Sequence, residues 1–550
     1  MAPTPSEELN AIVKDIVETV HPRKMIVAGA GAGKTTTFGK LLDALPSSAT
    51  DRRLVMTFLG GLKRDLEKDL GDKARVQTFH GYCYTTLKQS ASIREAAGFT
   101  ADLRYFPRLI SLAKADWVIA KGGAAPSYVP SLRKLVMNEE AEFLLARASY
   151  YDAVGHDDGT VHLHRVLAAD PALVPAYDLV IVDEVQDLNG AEMAMIDMLS
   201  GGSNIVVAGD DDQALYGDLR DASEDHIRGL YGREDYLQKN LPFCMRCSPA
   251  VVDATNDIIS EADKRGLLGK RIPKRYDPFP RPEVDAKYPA IKVVETTTQT
   301  PRANLFGKYV LDQIGKIPAE EIKESHEKGF PTVLIIGSKP WASQVQSYLE
   351  DSGLHVETKA PVEEQMDDPF VKADALSILA ESPESSLGWR IAIEVDKPVG
   401  YEGWISAAIQ TGDPLYALVD AGFRAAVLQE AQGWAPAEAE EVEPIVLDPA
   451  KPTIRLTTFE GAKGMSAQHV FILGLNHKSN IRAVDVRRMI VALTRARKQC
   501  CVLRAKMAFG KKGATFIKPS IFIGWIRPAR KLTEQVTAAS FKKAPAPTGT

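Results

Sequence analysis

A glycine-rich segment that ends in a lysine and a threonine carries the clearest chemistry in this sequence. The run from Met25 to Thr35, MIVAGAGAGKT, places an apolar strand directly before the glycines. Small residues let backbone N–H groups converge on a polyphosphate, and the following helix adds its positive end. We expect Lys34 to reach the β and γ phosphates and the Thr35 hydroxyl to bind Mg²⁺. The segment predicts a nucleoside triphosphate site. The alternative is a glycine-rich turn without ligand, since Ala28 stands where the strict pattern has glycine.

Two further strand ends carry polar residues that suit the wall opposite a phosphate-binding loop. Asp183 and Glu184 follow the apolar run LVIV. Asp183 can hold Mg²⁺ through water there, and Glu184 can orient and deprotonate the attacking water. Gln213 follows another apolar run, in the segment GDDDQALY at 209–216, where its amide can touch both the γ phosphate and the water. The alternatives are a helix N-cap with first-turn acids and an ordinary acidic turn.

Short apolar runs bounded by turn residues alternate with helical patterns along the chain. Such alternation predicts an α/β fold with parallel sheets, helices on both faces and active residues at the carboxyl ends of strands. A chain of 550 residues is too long for one core, and we expect about three to four compact units. The strand-like runs are 25–28, 54–58, 179–182, 205–208, 333–336, 469–473 and 500–503.

Composition narrows the class of protein and its surroundings. The net charge of −5 gives no overall attraction to nucleic acid. Basic residues gather at 263–281 and 482–531, and these segments suit either a phosphate-backbone track or an ordinary solvated face. Five cysteines are too few for a disulfide framework, and no apolar run reaches the ~20 residues of a membrane span. We therefore expect an intracellular, cytoplasmic protein with no membrane partner.

The segments that carry chemistry resemble, in the same order, those of superfamily 1 DNA helicases of the UvrD/Rep/PcrA group. Their number and order give the resemblance its weight, because each segment alone is a weak signal. The matching segments are AGAGAGKT at 28–35, TF at 57–58, TFH at 78–80, DEVQD at 183–187, GDDDQALY at 209–216, CMRC at 244–247, TFEGAKGMS at 458–466 and VALTRAR at 491–497.

The resemblance implies two RecA-like P-loop NTPase domains, each interrupted by a mainly helical insertion, with ATP and Mg²⁺ bound in the cleft between them. The first domain is expected at 1–81 and 165–235, around an insertion at 82–164. The second domain is expected at 236–350 and 452–535, around an insertion at 351–451. Residues 536–550 are expected to form a disordered tail.

Site residues follow from the same resemblance. Lys34, Glu184 and Gln213 would be catalytic groups of the first domain. Arg246 and Arg495 would come from the second domain and neutralise charge on the transferring phosphoryl group, approaching only when the cleft closes. Thr35 and Asp183 would hold Mg²⁺. The expected nucleotide contacts are Ala28, Gly29, Ala30, Gly31, Ala32, Gly33, Lys34, Thr35, Thr36, Met245, Gly464 and Ser466.

The activity implied is that of an ATP-dependent helicase or translocase moving 3′ to 5′ on single-stranded DNA and unwinding duplex with a single-stranded tail. The sequence leaves open an RNA or hybrid motor, because sugar-discriminating contacts are not visible in it. It also leaves open a nucleotide-switched binding or remodelling protein without unwinding. Protein partners are not indicated. The expected nucleic-acid contacts are Thr57, Phe58, His80, Tyr216, Arg220 and Thr458.

Departures from the family pattern cluster around the nucleoside. Val13, Thr36, Met245 and Ser466 stand where the family has a glutamine, an arginine, a tyrosine and a glutamate. A site without these hydrogen-bonding and stacking groups discriminates poorly among bases, which predicts a relaxed NTP preference. A further departure places Leu219 in a position that is usually aromatic. Binding of the strand is then expected either to be weaker or to depend on Tyr216, Phe79 or Tyr82.

Overall fold

The structure, a computed structural model, describes residues 3–46, 49–58, 60–300, 302–358, 369–435, 448–475, 478, 480–510 and 513–541. Within these ranges two large parallel sheets are flanked by helices, so the expected α/β class with two RecA-like domains is confirmed. The strands are β1 Arg23–Ala28, β2 Arg53–Thr57, β3 Arg75–Thr78, β4 Arg104–Tyr105, β5 Ala153–Val154, β6 Leu179–Val182, β7 Ile205–Gly209, β8 Leu237–Leu241, β9 Phe243–Cys244, β10 Asp277–Pro278, β11 Ile291–Thr296, β12 Val333–Ile336, β13 Val356–Thr358, β14 Ile454–Thr457, β15 Ala467–Leu473, β16 Ala496–Ala505, β17 Met507–Gly510, β18 Gly513–Phe516 and β19 Lys531–Val536.

Helices connect most of these strands, and several begin at clear capping residues. Thr4 and Glu7 form a capping box before the first helix, and Asn189 and Glu192 form another. The helices are α1 Pro5–Glu18, α2 Lys34–Asp43, α3 Gly60–Leu70, α4 Phe79–Gln89, α5 Ala91–Ala96, α6 Leu109–Lys121, α7 Tyr128–Arg133, α8 Glu139–Tyr151, α9 Asp157–Ala169, α10 Gly190–Leu199, α11 Gly217–Arg220, α12 Glu224–Tyr231, α13 Pro249–Lys264, α14 Pro282–Lys287, α15 Leu305–Ile314, α16 Ala319–Lys328, α17 Lys339–Asp351, α18 Lys372–Glu381, α19 Ser386–Asp396, α20 Tyr401–Thr411, α21 Leu415–Leu418, α22 Ala421–Gln432, α23 Ala483–Leu493 and α24 Ile521–Trp525. None of the helices in the described ranges combines the length and the apolar character that a membrane crossing requires.

The first sheet has the strand order β3-β2-β6-β7-β1-β8, and its neighbouring strands run parallel. Strand β1 shows why this sheet forms. Met25 and Val27 pack into one hydrophobic core, and Ile26 and Ala28 pack into a second core on the opposite face. A parallel sheet between two helical layers requires this burial on both faces. Because the strands are parallel, the carboxyl ends of β1, β2, β6 and β7 lie along one edge of the sheet.

The second sheet has the order β13-β14-β12-β15-β16-β11-β19 and is also parallel. In β12, Leu334 and Ile336 face one core while Val333 and Ile335 face the other. Two sheets of the same kind therefore each offer an edge of carboxyl strand ends, which is where ligands bind in such sheets.

Several domain limits expected from the sequence cut through elements. Strand β8 pairs with β1 and adds Leu241 to a core of the first sheet, so that sheet extends past residue 235. Strand β13 lies past residue 350 in the second sheet, and helices α4 and α9 cross the limits at 82 and 164. The expected disordered tail begins with the last residue of β19 and a short helical turn, Ala538–Phe541. Residues 542–550 lie outside the described residues.

Two helical regions interrupt the sheets and pack against each other. We call residues 91–169 the first insertion and residues 369–435 the second insertion. They share one hydrophobic core, to which Leu112 and Trp389 contribute from opposite sides. Inside it, the buried Asp116 carboxylate accepts hydrogen bonds from Arg147 Nε at 2.9 Å and from Arg390 Nε at 2.7 Å. Arg390 belongs to the second insertion, so a buried ion pair joins the two.

Candidate nucleotide cleft and single-strand track

One cleft of about 1340 Å³ is lined by residues of both sheets. The first sheet contributes the glycine-rich loop, Asp183, Glu184 and Gln213, and the second contributes Arg246 and Arg495. The structure thus brings together the residues that the sequence places far apart. The roles assigned to them stay predictions, but their shared location satisfies the geometric condition for those roles.

The glycine-rich loop joins β1 to α2 and needs glycine at two positions. Gly31 has φ +70° and Gly33, the N-cap of α2, has φ +90°, a region where side chains are strained. Space is also short, because a Cβ on Gly31 would collide with Arg246. The cleft lining runs from Ala30 to Thr36. Of the expected nucleotide contacts, Ala28 is instead buried in β1 and Gly29 packs against the Tyr276 ring.

Lys34 sits between the two carboxylates expected to face it. Its Nζ lies 2.9 Å from Asp183 Oδ1 and also contacts Glu184 Oε1. Burial acts to lower the pKa of Lys34, but the charges of Asp183 and Glu184 outweigh it, and that pKa lies above its ordinary value. The ammonium is therefore fully charged and already placed where a phosphate could replace its carboxylate partners.

Glu184 is held in a strained, well-defined position. Its φ is +58°, the left-handed region that non-glycine residues rarely adopt, and it directly precedes the short helix Val185–Asp187. Gln186 Nε2 donates to Glu184 Oε2 at 2.6 Å, and Gln186 Oε1 accepts from the Asp210 backbone N–H at 3.1 Å. Burial acts to raise the pKa of Glu184, but the charges of Lys34 and Lys463 hold it well below its ordinary value. Glu184 is consequently an ionised acceptor with a fixed direction.

Gln213 forms a direct link between the two sheets. Its Nε2 donates to Asp210 Oδ2 at 2.7 Å, and its Oε1 accepts from Arg495 Nη2 at 3.3 Å. Arg495 is buried, and its Nε and Nη1 donate to the Val491 and Met465 carbonyls at 2.9 and 3.0 Å. Burial, and then the charge of Arg246, lower the pKa of Arg495 to about 10. Arg495 already contacts Gln213 in this structure, and its approach on closure of the cleft stays a prediction.

Lys463 is a cleft residue that sequence reasoning missed. It comes from the segment between β14 and β15, and its Nζ contacts Asp187 Oδ2, donates to the Gln213 carbonyl at 2.6 Å and lies 3.6 Å from Glu184 Oε2. Burial raises the pKa of Asp187 to about 6 although the Lys463 charge opposes the rise. The signal was present, since Lys463 lies inside the matched segment TFEGAKGMS and Asp187 ends DEVQD.

The part of the cleft expected to hold the nucleoside offers few hydrogen-bonding side chains. Met245 is 47% exposed and its sulfur faces Gly33. Ser466 accepts a hydrogen bond from Arg497 Nε at 3.1 Å, and the Arg497 guanidinium lies 3.9 Å from the Phe330 ring centre. Gly464, Ser466 and Thr36 line the cleft, whereas Val13 of α1 is buried in a core of the first sheet.

The expected nucleic-acid contacts of the first domain form one cluster. The Arg220 guanidinium lies 3.9 Å from the centre of the Phe58 ring, and that ring lies 5.6 Å from Tyr216. Arg220 Nη2 donates to His80 Nε2 at 3.3 Å. Thr458, on the second sheet, accepts from the Gly461 N–H at 3.1 Å. Leu219 has its side chain outside the described residues.

The two sheets present similar residues at equivalent strand ends. Thr57 ends β2 and Thr457 ends β14, and both strands are second from one edge of their sheets. Both hydroxyls are buried without a hydrogen-bond partner. Unpaired buried hydroxyls are costly and usually mark a missing partner. We call the expected nucleic-acid contacts, Thr57, Phe58, His80, Tyr216, Arg220 and Thr458, the single-strand track. One of the two hydroxyls belongs to this set, and the other belongs to Thr457, the neighbour of Thr458.

Two parallel sheets that share a P-loop cleft define a P-loop nucleotide-binding protein with two RecA-like domains. Comparison with known proteins agrees with this class. Residues 11–218 match the family described as an AAA domain. The chain is also similar to the ATP-dependent DNA helicase PcrA of Staphylococcus aureus (strain COL), with 24% identity over 303 residues that cover 48% of this chain and 41% of the relative.

Two further relatives carry the name DNA helicase II. The Escherichia coli (strain K12) protein is 24% identical over 311 residues, and the Salmonella typhimurium (strain LT2) protein is 23% identical over 307 residues. Each alignment covers 48% of this chain and 42% of the relative, so less than half of each relative is matched. These similarities confirm the resemblance to UvrD/Rep/PcrA-like superfamily 1 DNA helicases.

Proposed function

We propose that this chain is an ATP-dependent DNA helicase or translocase that moves 3′ to 5′ along single-stranded DNA and unwinds duplex with a single-stranded tail. The observation that carries the proposal is the hydrogen bond between Arg495 of the second sheet and Gln213 of the first, at 3.3 Å, inside the cleft that holds Lys34. The matched relatives, whose names describe DNA helicases, support the same activity.

Phosphate binding would begin with an exchange of partners at Lys34. The ammonium now pairs with Asp183 and Glu184, and the β and γ phosphates of ATP offer stronger negative charge at the same place. Release of Asp183 would leave its carboxylate free in the cleft, which Thr35 also lines. These hard oxygen donors fit Mg²⁺, which would neutralise phosphate charge when bound. Thr35 and Asp183 are thus the residues we assign to the metal.

The hydrolytic step would use the carboxylate of Glu184. Gln186 fixes its Oε2, so Oε1 is the atom released when Lys34 turns to phosphate. That oxygen can accept a proton from the attacking water. Arg246 and Arg495 would stabilise the negative charge that develops on the phosphoryl oxygens. Gln213, held between Asp210 and Arg495, would sense whether the γ phosphate is present.

Movement would follow from the contacts that cross the cleft. Lys463 and Arg495 reach from the second sheet to Glu184, Asp187 and Gln213 of the first. Glu184 and Gln213 line the cleft where we expect the γ phosphate. A change in phosphate occupancy therefore changes the attraction between the two sheets. Alternate tightening at either end of the single-strand track would advance the strand.

The nucleic-acid contacts would be mostly to phosphate, sugar and base faces. Arg220 supplies a cation at the track, and Phe58 and Tyr216 supply rings beside it. Contacts of this kind bind single strands without sequence preference.

Base selectivity is the finer part of the proposal. Met245 and Ser466 line the cleft where the family pattern has a stacking tyrosine and a glutamate, and Val13 is buried away from it. We therefore expect GTP and CTP to be hydrolysed appreciably. Hydrolysis of the four NTPs with saturating single-stranded DNA measures this. Rejection of GTP by more than about 100-fold, a ratio that polar readout reaches easily, would contradict it.

The main experiment compares strand displacement with hydrolysis. Duplexes with a 3′ tail, a 5′ tail or no tail are incubated with ATP, and ATPase rates are measured with single-stranded DNA and with RNA of the same sequence. The proposal requires displacement from the 3′-tailed duplex and stimulation by DNA. Preferential stimulation by RNA would favour an RNA motor. Stimulated hydrolysis with no displacement or translocation would favour a nucleotide-switched binding protein.

A further inference from the structure

A basic segment between α13 and β11 lies between the two sheets. We call residues 265–281 the basic strap. Its Leu268 and Tyr276 pack into a core of the second sheet, whereas its Ile272 packs into a core of the first. The Tyr276 hydroxyl donates to the Ala30 carbonyl of the glycine-rich loop at 3.0 Å. From its basic composition alone, this segment could bind the phosphate backbone of a nucleic acid. Its position shows instead that it connects the two halves of the ATP cleft.

Lys274 of the strap lies among three consecutive carboxylates. Its Nζ is 2.7 Å from Asp210 Oδ1 and 3.0 Å from Asp212 Oδ2, and it also contacts Asp211 Oδ1. All four side chains are buried. The three carboxylates are close enough to hold a metal ion, but the ammonium occupies their centre. Lys274 is therefore the cation that makes this acidic triplet stable.

Two arginines complete the cluster without replacing Lys274. Arg271 Nε donates to Asp212 at 2.8 Å, and Arg228 Nε donates to Asp211 Oδ2 at 3.1 Å. Three cations thus balance three carboxylates. Asp210 takes its cationic contact from Lys274, so removal of Lys274 affects this carboxylate most directly.

Asp210 connects the cluster to the site of hydrolysis. While Oδ1 of Asp210 faces Lys274, Oδ2 accepts the hydrogen bond from Gln213 Nε2 at 2.7 Å. The other end of the Gln213 amide accepts from Arg495 at 3.3 Å. A chain of contacts therefore runs from Lys274 through Asp210 and Gln213 to Arg495. The direction of the Gln213 amide depends on both of its neighbours, and Lys274 fixes one of them.

We propose that Lys274 is a positioning residue for ATP hydrolysis, which acts through Asp210 to orient the Gln213 amide. The inference rests on the proposed function and goes beyond it, because it assigns to the basic strap a role in the chemical step. Without the ammonium, the three carboxylates repel one another and Asp210 no longer holds Gln213 in one direction. Binding of ATP, which depends on the glycine-rich loop and Lys34, is expected to remain.

The test begins with Lys274→Met, a change of similar length that removes the charge. We expect kcat for ATP to fall by about 10- to 100-fold, the scale of a misplaced catalytic group, with KM within about twofold of wild type. Arg275→Met is the matched control from the same strap, because the partners of Arg275 are Glu8 and Asp277 rather than the acidic triplet. The control is expected to keep wild-type kcat. Wild-type kcat in Lys274→Met would overturn the inference.

A second variant separates positioning from folding. Lys274→Met leaves one excess negative charge, and Lys274→Met combined with Asp211→Asn restores the balance, because asparagine can still accept from Arg228 and Ile272. We expect this double variant to recover the thermal midpoint of wild type but to keep the low kcat. Recovery of kcat together with the midpoint would show that Lys274 is only structural.

A third comparison tests the route through Gln213. Gln213→Ala is made in wild type and in the charge-balanced variant, and kcat is measured for all four proteins. If Lys274 acts through Gln213, the losses are not additive, and Gln213→Ala changes the charge-balanced variant by less than about twofold. Fully additive losses would overturn the route. Failure of the proposed function is distinguishable, since wild type itself would then lack DNA-stimulated hydrolysis.

Discussion

At the nucleotide cleft the two sheets meet through charged side chains, whereas the two insertions meet through an apolar core. Lys463 contacts Asp187, and Arg495 contacts Gln213, across a cleft of about 1340 Å³. The insertions instead bury side chains such as Leu112 and Trp389 together around the Asp116–Arg390 ion pair.

This difference indicates that the interface between the sheets can open, whereas the interface between the insertions stays closed. Charged groups at the cleft can exchange one partner for phosphate or water, because both alternatives satisfy their charge. Side chains in the insertion core have no such alternative, since their exposure costs roughly 25 cal/mol per Å². We therefore expect motion during the ATP cycle at the cleft, with the two insertions moving as one body.

The largest effect is expected at the cleft from Lys34→Ala. The change removes the ammonium that would bind the β and γ phosphates and leaves Asp183 and Glu184 to repel both each other and the nucleotide. DNA-stimulated ATP turnover should fall by about 1,000-fold or more. Steady-state hydrolysis measures this. A residual rate above about one tenth of wild type would contradict the assigned role.

Arg495→Ala is expected to separate hydrolysis from nucleotide binding. We expect turnover to fall by about 10³-fold, as for an arginine finger, while ATP affinity changes little. Because Arg495 also donates to the Val491 and Met465 carbonyls, Arg495→Lys serves as a second variant that keeps the charge with less disturbance. Nucleotide affinity from equilibrium titration and single-turnover rates measure the two effects. Unchanged turnover in both variants would remove Arg495 from the chemical step.

The insertion core should respond in stability rather than in chemistry. Asp116→Asn removes the carboxylate shared by Arg147 and Arg390, which both stay charged and buried, and breaking such a pair costs about 3–5 kcal/mol. Urea unfolding followed by tryptophan fluorescence, to which Trp389 of the same core contributes, reports the loss. At low temperature the folded variant should keep wild-type ATP turnover. A turnover defect as large as that of Arg495→Ala would show that the insertion interface also affects the chemical step, and would contradict the distinction between the two interfaces.

The charge-balanced change Asp116→Asn with Arg390→Met is the matched control. It removes one negative and one positive charge, and replacing a buried pair by neutral groups is often neutral or stabilising. Arg147 keeps its hydrogen bond to the Tyr151 hydroxyl at 2.8 Å. We expect the urea midpoint to return most of the way to wild type. If the double variant is as unstable as Asp116→Asn alone, packing rather than the unpaired charge explains the loss.

Sequence alone could predict the strands that are apolar throughout. The runs that became β1, β6, β7 and β12 are buried on both faces and therefore contain hardly any polar residues. In the two large sheets, strands β3, β8, β11, β13, β14 and β19 were missed. Four of them, β3, β8, β13 and β19, lie at sheet edges, and all six contain partly exposed residues, so their patterns look like loops. Because β8 was missed, the expected end of the first domain, residue 235, falls before β8.

The site was predictable where residues share one sheet edge. Lys34, Asp183 and Gln213 follow strands of one parallel sheet, so their strand ends had to meet. The contacts of Lys463 and Lys274 were not predictable, because each joins elements of different sheets. Lys463 lies 276 residues from Asp187, and Lys274 lies 63 residues from Asp211. Such pairings depend on how the two sheets pack against each other. The hydrophobic periodicity of a single helix or strand carries no information about that packing.

The smallest expected effect is a pH dependence at the cleft. Burial raises the pKa of Asp187 to about 6 in the folded chain, whereas an unfolded aspartate has a pKa of about 3.9. Between these values the folded state binds more protons than the unfolded state, so Asp187 makes stability fall as pH rises from about 4 to 6.

Asp187→Asn removes this contribution. The difference in unfolding free energy between variant and wild type should rise through that window and level off above about pH 6. Urea unfolding at a series of pH values measures the slope, and a constant offset would reflect only the lost contact with Lys463. Equal slopes in the two proteins would show that Asp187 does not titrate there, and that the charges of the cleft are as fixed as those of the insertion core.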